Sequence, residues 1–342
     1  MDDEIAFAEL HVHLEGTLEP ELIFALAERN EVRLPYRDVE DLRSRYAFAD
    51  LQSFLDLYYT NMQVLRTEED FADLTDAYLR RARLAGVRHA EVFLDVQAHT
   101  RRGIPAAAAL GGVGHALGGS EELGISSGLI VTMLRHLPAE SAMHAYEQVC
   151  AAGLPLLGIG LCSSEVGYPA APFADVFARA RADGLHTVAH AGEEGDPRYV
   201  WEVLDVLRVE RVDHGIRSVE DPVLMDRLVA QQVPLTVCPL SNVRLRAVES
   251  LEQHPLARML RAGAVVSVNS DDPAYFGGYL DDNVAAVRVA LALTEAEVRQ
   301  LAANSIRSSF LSEERKAQLL PGKSNNSSEI QSSPRDGPRR ER

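Results

Sequence analysis

The chain has 342 residues, is 46% hydrophobic and 25% charged, and carries a net charge of −17 with a pI near 5.1. That length allows one large domain or two small ones, and the acidity disfavours nucleic acid or an anionic membrane as a partner. Lysine occurs only at Lys316 and Lys323, so residues 1–315 offer none for a Schiff base, a phosphate clamp or a carbamylated metal bridge.

No apolar run reaches the length of a membrane span, and the acidic start MDDEIAFAEL lacks a secretory n-region. Cys150, Cys162 and Cys238 fit no disulfide or zinc-finger spacing and read as reduced thiols of a cytoplasmic protein. The first strand-like run, AFAELHVHL, covers residues 6–14 and places His11 and His13 on one face. A long connection, 15–86, follows it, with helical periodicity over 49–65 and 69–86. Further β-rich runs stand at 87–96, 126–135, 154–162, 186–192, 211–216, 233–241 and 264–270, with helical patterns such as 169–184 and 221–232 between them. Eight strands alternating with helices predict an α/β fold, a (β/α)8 TIM barrel over residues 1–320. Its additional helices after the first strand would lie over the active-site face as a lid. An open doubly wound sheet is the alternative pattern. Residues 321–342 are polar, rich in Ser and Pro and aperiodic, and are expected to be a disordered tail.

The ionisable residues gather at the strand ends. His11 and His13 lie on the first strand, His190 ends the fifth with Glu193 just beyond, His214 ends the sixth, and Asp271 and Asp272 follow the eighth. Catalytic groups of barrels come from the C-terminal ends of several strands. Three imidazoles and a carboxylate suit Zn²⁺ better than Mg²⁺ or Ca²⁺, which prefer oxygen shells. Glu193 is placed for proton transfer, and a histidine outside the ligand set is available to orient or deprotonate a water.

The ordered motifs HVHLEG (11–16), HAGE (190–193), DHG (213–215), CPLSN (238–242) and NSDDP (269–273) resemble the adenosine/adenine deaminase family. The resemblance spans nearly the whole chain to about residue 320 and implies a zinc-containing (β/α)8 barrel. By position it implies one Zn²⁺ per chain held by His11, His13, His190 and Asp271. Glu193 matches the proton donor to purine N1, His214 the histidine that orients and deprotonates the attacking water, and Asp272 the carboxylate contacting N7. The implied reaction is hydrolytic deamination at C6, releasing ammonia and leaving a 6-oxopurine.

Within that family SSEVGYP (163–169), RVDHG (211–215) and DDPAYFGGYL (271–280) are similar to the microbial adenine deaminase branch. The implied substrate contacts are Asp272, Glu15, Phe54, Ser163, Ser164 and Glu165. Glu15 stands where adenosine deaminases usually carry an Asp that holds the ribose, and a longer acid there would take up ribose space. Cys162 departs from the branch, which usually has Asp at that position. The resemblance therefore implies adenine deamination to hypoxanthine in purine salvage. Adenosine or an N6-substituted adenine is the alternative substrate, and a catalytically silent binding barrel the remote one. The expected partner is a small purine, with no nucleic acid and no membrane. A homo-oligomer is left open.

Overall fold

The computed structural model describes residues 5–320. Eight strands run through them: β1 (Phe7–His13), β2 (Val87–Leu94), β3 (Ser126–Leu134), β4 (Gly158–Cys162), β5 (His186–Ala191), β6 (Arg211–His214), β7 (Leu235–Val237) and β8 (Val266–Val268). They pair in parallel and in sequence order. The edges of β8 and β1 meet where Asp271 N donates to His11 O at 3.0 Å and His13 N donates to Asp271 O at 2.9 Å. Just below, Leu10 N donates to Asn269 Oδ1 at 2.8 Å. This is the (β/α)8 TIM barrel that the alternation of elements predicts, with helices in the connections.

The strands are shorter than their apolar runs, β4, β7 and β8 most of all. β4 begins at Gly158 rather than 154, and β7 ends at Val237 because Pro239 opens the short helix Pro239–Arg244. Proline fits the first helical turn and cannot donate to a ladder. Four helices fill the connection after β1: α1 (Pro20–Arg29), α2 (Val39–Arg43), α3 (Leu51–Asn61) and α4 (Glu68–Leu84). Reciprocal caps at Asp50/Ser53 and Thr67/Asp70 set the starts of α3 and α4. Phe54, Leu55 and Tyr58 of α3 pack with Phe48, Tyr275 and Phe276 in a cluster apart from the main core, so α3 covers the barrel mouth as expected of a lid. The expected tail, 321–342, lies outside the described residues.

Side chains alternate along each strand, and the outward set (Ala90, Val92 and Leu94 on β2, for example) packs under the helices. The inward set is polar at both ends. Phe93, Ile130 and Val188 form the apolar middle of the barrel. At the N-terminal end of the strands Arg211, fully buried, donates from Nη1 to Glu91 Oε2 at 2.5 Å and from Nη2 to Leu10 O at 3.1 Å. Phe310, beyond the helix Glu295–Ser308, lies under that guanidinium, and its backbone N–H donates to Glu91 Oε1. Above the apolar layer, Phe93 touches the rings of His11, His13 and His190.

Burial opposes ionisation of Glu91, but Arg211 and His89 outweigh it and hold its pKa down to about 2 against 4.5 in the unfolded chain. Its contribution to stability is therefore fully present above pH 4.5 and is lost as pH falls toward 2. Glu91→Gln removes the carboxylate in direct contact with the buried Arg211, and should cost about 3 kcal/mol near neutral pH. Urea unfolding should show the gap between wild type and variant narrowing below about pH 4.5.

Candidate active site

The C-terminal ends of the strands hold the predicted chemistry together. His11, His190, His214 and Asp271 present ligand atoms all within 4.8 Å of one another, and His13, Asp271 and Asp272 form an overlapping group. His11 Nε2 lies 3.2 Å from Asp271 Oδ1, and His13 Nε2 lies 3.6 Å from the same oxygen and 3.1 Å from His190 Nε2. The expected ligands His11, His13, His190 and Asp271 lie close together, but it is His214 rather than His13 that shares the four-membered group with His11, His190 and Asp271.

The groups behind the imidazoles direct their ring protons. Thr236 Oγ1 donates to Asp213 Oδ1 at 2.8 Å, which leaves it to accept from His11 Nδ1 at 3.1 Å. His190 Nδ1 faces Asp213 Oδ2 at 3.4 Å. With His11 Nδ1 protonated toward Thr236 and His190 Nδ1 protonated toward Asp213, both rings turn bare Nε2 lone pairs inward. Burial opposes ionisation of Asp213, but His190, His11 and Arg211 overcome this and keep it below the usual carboxylate range. His11 Nε2 is buried without a hydrogen-bond partner and turned toward the cluster, which fits it to hold a metal. Nitrogen-rich ligation with one carboxylate suits zinc.

His214 is oriented by a chain whose polarity starts at a backbone amide. Leu256 N donates to His254 Nδ1, His254 Nε2 lies 3.2 Å from Asn242 Oδ1, and Asn242 Nδ2 lies 3.3 Å from His214 Nδ1. Burial keeps His254 neutral, with a pKa lowered to about 4. The chain therefore leaves the His214 proton on Nε2, which faces Glu193 Oε2 at 3.5 Å and Asp271 Oδ2 at 3.9 Å. Ser241 donates to that same Asp271 oxygen at 2.6 Å.

The adjacent aspartates differ in charge. Asp271 is drawn well below the usual range, because His11, His214 and His13 outweigh the effect of burial. Asp272 is pushed well above it by burial and by the charge of Asp271. Glu193 is raised well above its ordinary value, by burial first and then by Asp271, Glu194 and Glu165, so it is held as an acid.

The pocket over this cluster includes His13, Phe54, Tyr58, Asp95, Cys162, Ser163, Glu193 and Asp272 in its wall. Of the implied substrate contacts, Phe54, Ser163 and Asp272 are part of that wall. Three other implied substrate contacts lie elsewhere. Glu15 is fully buried behind the wall, its Oε1 accepting from Asp95 N at 2.9 Å and His99 Nε2 at 2.7 Å, so it takes up no ribose space. Glu165 accepts from the backbone N–H groups of Gly192, Glu193, Glu194 and Gly195 at 2.6–3.1 Å, and so holds the Glu193 loop rather than the pocket wall. Ser164 is half-buried and outside the wall.

Asp95 was not among the sequence-based candidates although it lines the pocket. Its one signal was the break of the β2 apolar run at EVFLD. Three pocket residues, Ser163, His214 and Asp271, have φ of 78°, 63° and 63° without being glycine, a backbone cost of roughly 1–2 kcal/mol each. Gly16 is required for a different reason: a Cβ there would lie 2.0 Å from Asp272 Oδ1.

Glu165→Gln replaces a charged acceptor by a neutral one under four amides. Hydrogen-exchange mass spectrometry should show the 192–195 segment exchanging roughly 10-fold faster or more, with bound metal retained.

The sequence profile described as adenosine deaminase matches residues 7–323. An adenine deaminase from Streptomyces coelicolor is 59% identical over 308 residues, covering 90% of this chain and 91% of that protein. The crystal structure of an adenine deaminase from Arthrobacter aurescens superposes with a TM-score of 0.91 at 58% identity, covering 92% of this chain and 96% of that one. An amidohydrolase from Burkholderia ambifaria, solved with bound zinc, gives 0.84 at 27% identity, covering 92% and 88%. Profile, sequence and superposition agree, and the chain belongs to the adenosine deaminase family.

Proposed function

We propose that this chain is an adenine deaminase holding one zinc ion, converting adenine and water to hypoxanthine and ammonia within purine salvage. The observation that carries the substrate is the 59% identity, over nine-tenths of the chain, to a protein named adenine deaminase. That likeness favours free adenine over adenosine or an N6-substituted adenine. The convergent histidines and the acid at Glu193 speak against a silent barrel. Residues 1–320 act as the catalytic unit in this reading, and the free thiols Cys150, Cys162 and Cys238 suit a cytoplasmic setting.

His11, His13, His190 and Asp271 would hold the metal, which when bound lowers the pKa of water from 15.7 to about 7. Glu193 donates its proton to N1, which makes C6 electrophilic as the oxygen adds there. Its carboxylate takes a proton back from the incoming water, and the remaining oxygen-bound proton passes to the amino group, which leaves as ammonia while C6 keeps the oxygen as a carbonyl. His214, with its proton on Nε2, hydrogen-bonds and orients the incoming oxygen. That tautomer supports the orienting half of the implied role and not the deprotonating half, because a base needs a bare nitrogen. Asp272, protonated, donates to N7. Phe54, Leu55 and Tyr58 on α3 exclude water above the ring.

Ultraviolet assays on the zinc-loaded protein should show adenine turned over faster than adenosine or N6-alkyladenines. Faster adenosine turnover overturns the reading. Glu193→Gln should keep stoichiometric zinc and lose roughly 10²–10⁴-fold in kcat. Asp271→Ala should lose zinc on dialysis, read by elemental analysis.

A further inference from the structure

Asp95 follows the C-terminal end of β2, is 3% exposed, and forms part of the pocket wall. Its Oδ1 accepts from the Thr132 hydroxyl and from Cys162 Sγ, the latter at 3.4 Å. From behind, its backbone N–H is held by Glu15, whose Oε1 also accepts from His99 Nε2. Arg102 Nη2 donates to His99 Nδ1 at 2.6 Å, which leaves the His99 proton on Nε2 for Glu15. Five side chains thus fix one carboxyl group against the pocket, and the chemistry described above gives it no task.

Its place in the barrel suggests one. Going round the strands, Asp272 follows β8, Glu193 follows β5, and His214 ends β6. A purine with C6 at the metal cluster, N1 at Glu193 and N7 at Asp272 turns its N3–C4–N9 edge toward the remaining arc, β2 to β4. On that arc the wall offers Asp95, Cys162 and Ser163, and of these Asp95 alone carries a carboxyl group, its pKa raised to about 7 by burial and by the neighbouring Glu15. Two donors already sit on Oδ1, so the group is built to accept.

Resting on the adenine reading, we propose that Asp95 accepts a hydrogen bond from the ring N–H on the N3/N9 edge and so selects free purine bases over N9-substituted ones. A nucleoside has carbon on N9. It has no proton to give there, and it would leave the second oxygen of Asp95 without a donor. Selection against the sugar then comes from Asp95, with Glu15 acting through it, rather than from Glu15 filling ribose space.

The competing explanation is metal support, because His13 Nδ1 lies 3.9 Å from Asp95 Oδ1, beyond hydrogen-bond reach. Asp95→Asn separates the two: Thr132 can keep its acceptor, and an amide N–H then faces the purine edge in place of an oxygen. On zinc-loaded protein, calorimetric affinity for purine should fall roughly 10- to 100-fold, while affinity for 9-methylpurine changes little. Adenine KM should rise correspondingly more than kcat falls, with zinc content unchanged. Thr132→Val, which removes a donor from Asp95, should move purine affinity in the same direction by a smaller factor, and it carries the test if the Asn variant does not fold. Equal losses for purine and 9-methylpurine overturn the proposal, as does zinc loss with the affinity ratio intact. The binding comparison needs no turnover, so a wild-type protein that fails to deaminate adenine sinks the proposed function while the edge reading is still decided by affinity.

Discussion

Charge compensation at the mouth of the barrel governs the rest of this structure. Asp95, Glu193, Asp271 and Asp272 line one pocket and are all buried, which is tolerable only if some are neutral and the others face positive charge. The protein meets that condition by dividing roles. Asp271 stays ionised among imidazoles, while Asp272 and Glu193 are driven toward their acid forms by burial and by the charge of Asp271. The same field that burdens the pocket yields two proton donors beside a metal-binding cluster.

Holding such groups at close range requires a frame that does not yield. Part of it is backbone strain, with Ser163, His214 and Asp271 kept in left-handed conformations where their side chains turn into the pocket. Part of it is polar support behind the wall: Asp213 under His190 and His11, Asn242 and His254 behind His214, and Glu165 beneath the Glu193 loop. At the opposite end of the barrel the Arg211–Glu91 pair, with Phe310 against the guanidinium, seals the interior. The apolar layer of Phe93, Ile130 and Val188 keeps the two charged ends apart.

Much of this was legible in the chain. The alternation of apolar runs with helical periodicity yields the barrel, and the strand-end positions of His11, His13, His190, His214 and Asp271 yield the cluster, because a parallel barrel brings strand ends to one face. The substrate contacts were less legible. Glu15 and Glu165 are acids in the right motifs, yet their carboxylates serve Asp95, His99 and the loop amides. Asp95 gave no motif signal, since its importance depends on facing Thr132 and Cys162 across two neighbouring strands.

By itself the sequence determined the order of elements, the residues available at each strand end and the chemistry those residues can perform, because these depend on local periodicity and residue type. Tertiary structure decided which acid is charged, which ring nitrogen keeps its proton, and which carboxylate reaches the pocket. Those properties arise from burial and from partners hundreds of residues away, as when Asp271 closes the barrel against His11 and takes its charge from it. A linear pattern holds no distance between such groups, and it is that distance which decides whether a buried carboxyl such as Asp271 is held ionised by its neighbours.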